Sequence, residues 1–460
     1  MDRNTLWRLG TAFPLVLSCI GLADCSRNNG TTTLSLPPTA IAVKRYTEGG
    51  TFDTGFSGGA VATKIDPSEF EYALAVALQP TGNKIIAAGR SVVAGKSVIA
   101  LVRYNADGSL DSAPGSFGSG GIVRTAVAPI NAVGTAVVVQ GDGKILVAGS
   151  TFDASTGTAG IVLARYNADG TLDTAGFAGG QGFASAAIGP GTSVDNASLA
   201  LQGNGSIVVA AATRDGNFVL IRYDSTGALD TANFGTTGTG GIVTTQVGAS
   251  AVGPAIALQS GGKIVAAGGA GSSAGAPLDA VLVRYNIDGT LDLSFGGAGT
   301  GMVFTDTAPS SSNFANAVAV QTPGDKIVVA GHAFVDFAAD TSDIILLRYN
   351  ADGTLDSAPG NFGTNGVVVI NLGAFDNAFS VALQPTVSDP NVANIVVSGN
   401  TGSGIAISSA VLRFTPVGAP DPTFGTGGIV TTSPTGPSTA ASANAVLVQP
   451  DRSIVVVGYD

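Results

Sequence analysis

Three oxygen-bearing side chains within seven positions, Asn105, Asp107 and Asp111, recur as Asn167, Asp169 and Asp173 and again as Asn350, Asp352 and Asp356. Hard oxygen donors at that density suit calcium. The spacing departs from an EF-hand loop, which spreads its ligands over about twelve residues. The same N-x-D-G residues also read as tight hairpins, in which Gly accepts a positive φ and Asn or Asp caps the turn. A second set, His332, Asp336, Asp340 and Asp343, could hold a divalent ion within one segment or read as a solvated acidic loop. His332 is the only histidine, which excludes a multi-histidine zinc or copper site and leaves any Ser-His-Asp triad to be built on it, with no G-x-S-x-G elbow. Glycoside hydrolysis needs two placed carboxylates. Glu69 and Glu71 stand two apart near a strand end, and no distant Asp partner is identifiable.

The rest of the composition limits the chemistry further. Gly occupies 66 of 460 positions, only 12% of residues are charged and 45% are apolar, so the chain can bury a large core. Glu is confined to Glu48, Glu69 and Glu71, and the chain lacks the usual surface helix formers. Long solvated helices are not expected. The net charge of -11 disfavours a nucleic-acid partner, since nothing gathers Lys or Arg into a patch. Gly-rich runs such as 235–241 lack the Lys and the strand–loop–helix context of a phosphate loop and are read as turns.

Arg3 and Arg8 precede an uncharged stretch at 9–23 that ends in small residues, the layout of a secretory signal peptide. We expect residues 1–25 to be that signal, 26–38 a polar tether ending in two prolines, and 39–460 one domain. Both cysteines, Cys19 and Cys25, fall in or beside the signal. Leu22 to Ser26 reads LADCS, a lipobox in which Cys25 would carry lipid, although Asp24 stands where the motif takes Gly, Ala or Ser. Cleavage after Ala23 is the alternative. The expected location is exported: periplasmic, outer-membrane lipoprotein or extracellular, with a membrane met only through that lipid.

Internal periodicity sets the fold. Apolar runs close on Arg45, Arg103, Arg165, Arg222, Arg284, Arg348 and Arg413, spaced 57 to 65 residues apart. An Asp followed by a Phe recurs at Asp53, Asp111, Asp173, Asp230, Asp292, Asp356 and Asp421, and a Gln closes another run in each repeat. One repeat, starting at Phe117, holds four short β-branched runs separated by Gly, Asp and Asn, which predicts four strands. Several runs are apolar without alternation, so both faces are covered. The predicted fold is all-β: a seven-bladed β-propeller of four-stranded antiparallel blades. The last repeat lacks its Arg-bearing strand and the chain begins with one, at about 40–46. That strand is expected to complete the C-terminal blade and close the ring.

The tracts QPTGNKIIAAG, QGDGKILVAG, RYNADGSLD and FGTGGIV resemble the delta-60 repeat, a propeller-type repeat of exported bacterial proteins, over residues 40–460. The resemblance implies a fold and no common activity. Quinone-dependent propeller dehydrogenases carry recurrent Trp, whereas the only one here is Trp7. A residue present in every repeat is read as part of the blade, with Arg paired to Asp because a half-buried charge needs a partner. Lys84 is replaced by Ser206, Asn394 and Ser453 in other repeats, which suggests a surface preference.

Connections of variable length fall at 66–71, 151–160, 269–279, 332–343, 386–394 and 433–444 and are expected to emerge on one face. From these readings we expect a non-enzymatic binding or scaffold module engaging a protein or glycan through that face, without a cofactor unless calcium fills the turns. The alternative is a carbohydrate-active hydrolase or lyase that uses acidic residues near the central channel.

Overall fold

The computed structural model describes residues 39–460 apart from 128, 191–196, 236–239, 274, 308–310, 337–340, 359, 405 and 435–439. Cys25 and the predicted signal and tether lie outside the described residues, as does Asp340, and the side chain of Asp336 is not described. The described regular structure is strand, with four short 3-10 turns.

Each repeat folds as an antiparallel meander. The strands Tyr72–Gln79, Lys84–Val93, Lys96–Tyr104 and Ile122–Thr125 lie in that order in one sheet. Five four-stranded sheets of this kind are present, together with an eight-stranded sheet. The latter is two such meanders joined by a single parallel bridge, Ser342 to Phe375. One of the four-stranded sheets unites both ends of the described chain: Ile41–Tyr46 pairs with Ile454–Tyr459 along its whole length, from Ile41 opposite Tyr459 to Tyr46 opposite Ile454. The N-terminal region supplies two strands to this sheet, the second being Ala60–Thr63. The Arg-bearing strand is therefore third in its sheet, and the short run after each FGxGG tract is the fourth.

The middle strands are buried on both faces, as their unalternating Val, Ile, Leu and Ala demand: Ile99 to Val102, Ile161 to Ala164 and Val281 to Val283 are all fully covered. The clusters they form cross from one sheet to the next. Ile86 and Ile99 of one sheet pack with Val147 and Val162 of the following one, and Val43 and Val457 pack with Ile85 and Val102.

A glycine in the second strand has a defined task. Gly89, Gly149, Gly268, Gly331, Gly399 and Gly458 each face a bulge in the first strand. A Cβ at Gly331 would stand 1.6 Å from the Phe314 carbonyl oxygen. The third repeat has Ala211 there. Among the described residues its first strand is Ser198–Leu201, and the ladder ends at Ser198 opposite Ala210.

Candidate functional site

In an antiparallel meander successive connections alternate between the two ends of the sheet. The first-to-second and third-to-fourth connections share one end; the second-to-third connections and the passages to the next sheet share the other.

The first end is occupied by the recurring residues. Arg103 closes its strand with its Nε 2.6 Å from Asp111 Oδ2, while Nη1 reaches Gln79 Oε1 at 2.9 Å and Nη2 the Ser116 carbonyl at 2.7 Å. The guanidinium lies 4.2 Å over the Phe117 ring. Equivalent stacks form at all seven Arg residues, between 4.2 and 4.9 Å. Each Arg also donates forward into the Gly-ended turn of the next repeat, N-x-D-G in most: Arg45 to the Ala106 carbonyl, Arg103 to Ala168, Arg165 to Ser225, Arg222 to Ile287, Arg284 to Ala351 and Arg348 to Pro416. Arg413 donates to Glu48. The glycine of each turn rests on the preceding Phe. A Cβ at Gly353, at φ 89°, would come within 2.7 Å of the Phe295 ring.

Lysine belongs to this lattice and is not a surface preference. Lys84, Lys144, Lys263 and Lys326 place Nζ 2.5 to 2.6 Å from the Oδ2 of Asp111, Asp173, Asp292 and Asp356. Burial pushes the Asp111 carboxyl up, but the hydrogen bonds of Lys84 and Arg103 outweigh it and hold the group below the usual carboxylate range.

The candidate calcium oxygens do not converge. Asp107 Oδ1 accepts the Ser109 N–H and hydroxyl within its own turn, and Asn105 donates to Ser109, whereas Asp111 faces Arg103 and Lys84. Asp169 and Asp352 cap their turns in the same way. Among the described residues no three His, Cys, Asp or Glu side chains cluster as metal ligands.

His332 is not in a loop: it lies within the strand Lys326–Asp336. The imidazole is stacked 4.6 Å from Phe314, meets Phe334 edge-on and has Asn316 Nδ2 3.0 Å from its Nδ1. Burial lowers its pKa to about 3, so it stays neutral. Asp343 pairs with Ala333, which places it on the sheet face opposite His332 and Phe334, and Asn371 Nδ2 donates to it at 2.7 Å. The predicted four-residue cluster is therefore split.

Glu71 is fully buried and fastens a connection: its carboxylate accepts the Ile65 N–H at 2.6 Å, the Asp66 N–H at 3.1 Å and the Ser91 hydroxyl at 2.7 Å. Burial raises its pKa. Asp376 does the same for Leu372 and Gly373. Glu69 takes no part in the Glu71 set.

Of the variable connections, 386–394 joins a first to a second strand and so belongs to the lattice end, not to the variable face. At the variable end, Phe70 stacks obliquely on Tyr72 and Tyr459 at 5.7 and 6.0 Å, beside Arg90. Two carboxylates also meet there. Asp279 precedes paired Ala280 and Asp306 follows paired Thr305, one step along the same ladder. Burial and then the charge of Asp306 push the Asp279 carboxyl up, while Asp306 is exposed and accepts Asn313 Nδ2 at 3.2 Å. Asp279 stands five residues before Arg284 as Asp343 stands five before Arg348, where Asn371 takes the place of Asp306, and only the irregular 269–279 connection pointed to this region.

The family described as a domain of unknown function (DUF5122) beta-propeller matches residues 83–113, 140–175, 202–232, 259–295 and 324–358. The five matched segments support reading the repeat as a β-propeller repeat. No curated protein matches the chain. Similar solved structures include Sqt1 from Chaetomium thermophilum bound to the N-terminus of ribosomal protein L10, at 12% identity and TM-score 0.43, covering 84% of this chain and 96% of that one. They also include the Penicillium chrysogenum α-L-arabinanase complexed with arabinobiose, at 13% and 0.42, covering 92% and 98%. A third is the Fusarium graminearum GH93 α-L-arabinofuranosidase with arabinobiose, at 10% and 0.43, covering 74% and 93%.

The expectation that the chain is not an enzyme is withdrawn: the similar structures include glycoside hydrolases as well as a binding protein, and a likeness this distant shows the fold alone. The physical reason is that hydrolysis needs only two carboxylates on non-repeating loops. The absence of a recurrent catalytic motif therefore does not speak against it.

Proposed function

We propose that the chain is an exported seven-bladed propeller whose variable-loop face engages carbohydrate, with Asp279 and Asp306 as the reacting or binding carboxylates. The observation that carries this reading is the pair itself. Two adjacent carboxyls in unlike environments, one half-buried and raised and one exposed, are what separate an acid from a nucleophile or base. Cross-strand neighbours have Cβ atoms about 4.5–5.5 Å apart, close to the separation of roughly 5–5.5 Å between carboxyl groups in retaining glycosidases. At the other end the recurring Arg and Asp side chains are committed to one another.

Ring closure is supported by contacts between the last repeats and the first. Arg413 donates to Glu48, Gly50 rests on Phe424, and Asn444 Nδ2 reaches the Ala73 carbonyl at 2.8 Å. The first strands touch in succession, and Ser442–Val448 touches Tyr72–Gln79. Export, and lipid attachment at Cys25, rest on the N-terminal sequence; metabolic labelling with palmitate, lost in Cys25→Ala, tests the lipid.

The function is tested by incubating the full chain with a panel of polysaccharides while scoring both retention and release of reducing ends. Retention or release that is lost in Asp306→Asn and in Asp279→Asn supports the reading. A chain that neither retains nor cleaves any of them overturns it.

A further inference from the structure

We infer that the third repeat carries a binding pocket for a primary ammonium group at its lattice end, formed by Ser206, Asp224 and Asp230. In four repeats a lysine ammonium lies 2.5 to 2.6 Å from the recurring Asp, beside the recurring Arg. The chain has thus solved the recognition of an alkylammonium at this position four times. In the third repeat Ser206 stands in place of the lysine, and an open pocket of about 390 Å³ lies there, lined by Asn204, Ser206, Arg222, Asp224, Asp230 and Asn233 among others.

Two features separate this pocket from the other repeats without lysine. The first is an unpartnered donor and acceptor. The Ser206 hydroxyl lines the pocket in a residue only 9% exposed and makes no hydrogen bond among the described residues, although its N–H is held by Asn204 Oδ1. The corresponding Ser453 satisfies its hydroxyl on Gln449 Oε1 and Asp451 Oδ1, and Asn394 turns its own amide toward Asp421 Oδ2 at 3.4 Å. The second is charge. Where the other repeats have Asn105, Asn167, Asn286, Asn350, Thr415 and Thr47, the third has Asp224. The repeat that lost a cation gained an anion, which makes the pocket two charges more negative than in its lysine-bearing sisters. Asp224 uses Oδ1 to cap its turn through Thr226 and Ala228, and Asp230 uses Oδ1 on Asn233 and Oδ2 on Arg222. Asp224 Oδ2 has no partner among the described residues and, with the Ser206 hydroxyl and Asp230 Oδ2, supplies acceptors for the three N–H bonds of an ammonium.

Titration of the full chain with n-butylammonium chloride at constant ionic strength, followed by calorimetry, tests the site. Saturable 1:1 binding is expected, with tetramethylammonium, which has no N–H donor, failing to compete. Asp224→Asn should weaken binding by about tenfold, the factor that one charge-assisted hydrogen bond is worth. Ser206→Lys should abolish it, because its own ammonium then occupies the place seen in four sister repeats, and this variant gains an ion pair, so loss of binding cannot be ascribed to unfolding. Spermidine and Nα-acetyl-lysine methylamide distinguish the source: tighter binding of the first identifies a free polyamine, of the second a lysine side chain of a partner protein. Absence of saturation, equal binding of tetramethylammonium, unchanged binding in Ser206→Lys, or displacement of the amine by calcium at lower concentration would each overturn the proposal.

Discussion

Arg222 and Arg413 form a matched pair for testing whether the sheets close into a ring. Each donates to its own Asp, to a Gln and to a carbonyl of the next repeat, and each stacks on a Phe. Neither Asp230 nor Asp421 has a lysine partner, because Ser206 and Asn394 stand at that position. The side chains are equally buried: Arg222 is 4% exposed with Asp230 at 12%, and Arg413 is 3% exposed with Asp421 at 9%. Replacement by Met keeps the apolar stem over the ring and removes only the charge and its donors. Each substitution should then cost about 3–5 kcal/mol, the loss on breaking a buried pair and leaving its carboxylate behind. The carbonyl that Arg413 reaches belongs to Glu48, at the other end of the described chain. In a ring the two variants lose the same stability to within about 1 kcal/mol, since sites this far apart behave independently. In an open array the terminal sheets fray, Asp421 hydrates, and Arg413→Met costs under about 1 kcal/mol, like an exposed pair. Urea unfolding of both variants, read by circular dichroism, decides; a cheap Arg413→Met beside a costly Arg222→Met would refute closure.

Three further outcomes follow from the same contacts. Gly331→Ala should lose at least about 1–3 kcal/mol, the usual range for overpacking, because its Cβ has only the backbone carbonyl of Phe314 to push against, whereas Ala211→Gly should fold normally; equal stability of Gly331→Ala and the wild type in thermal melts would contradict this. His332, lowered from 6.5 to about 3 by burial, contributes stability that is present above pH 6.5 and lost as pH falls toward 3, because only the unfolded chain takes up the proton. His332→Phe should therefore flatten that part of the pH dependence, which urea midpoints at pH 7 and pH 4 measure. Lys326→Met removes a partner that is 34% exposed from a carboxylate that is 1% exposed, so screening reduces its cost to about 1 kcal/mol at pH 7. Asp356, held low by Lys326, Asn361 and Arg348 against its burial, loses its contribution as pH falls below its ordinary 3.8, and the difference between variant and wild type should vanish there.

Periodicity made the strands legible because each repeat restates the same pattern, so Arg103, Asp111 and Phe117 could be assigned to the blade before any contact was known. Their pairing followed from the need of a buried charge for a partner. The role of lysine was not legible. Three repeats do without it, and a residue that is dispensable in three places looks like surface decoration, although Lys144 and Lys263 bridge to buried carboxylates where they occur. The connection at 386–394 was placed on the wrong end because irregular length was taken as the marker, when the parity of the connection in the meander decides the end. His332 was read in a loop since its neighbours are acidic and small; in the fold the strand continues to Asp336, and aromatic stacking on Phe314 buries the ring. The pairing of Asp279 with Asp306 was not legible from periodicity, because the next repeat has Asp343 at the first position but Asn371 at the second.

The third repeat departs from its sisters at both ends, and the two departures have different physical consequences. At the variable end, Ala211 replaces the glycine that faces a bulge elsewhere, and the described ladder of the first strand, Ser198–Leu201, ends opposite Ala210. At the lattice end, Ser206 and Asp224 change charge without changing the fold: Arg222 still holds Asp230, still reaches the Ile287 carbonyl and still lies over Phe234. A lattice that recurs from repeat to repeat can tolerate one altered member because each joint is secured separately by Arg, Phe and the turn glycine. Substitutions at a single joint are thereby freed from the fold's demands, and the same argument applies at the opposite end, where Asp306 stands beside Asp279 in the place that Asn371 holds beside Asp343 and the ladder carrying it keeps its register.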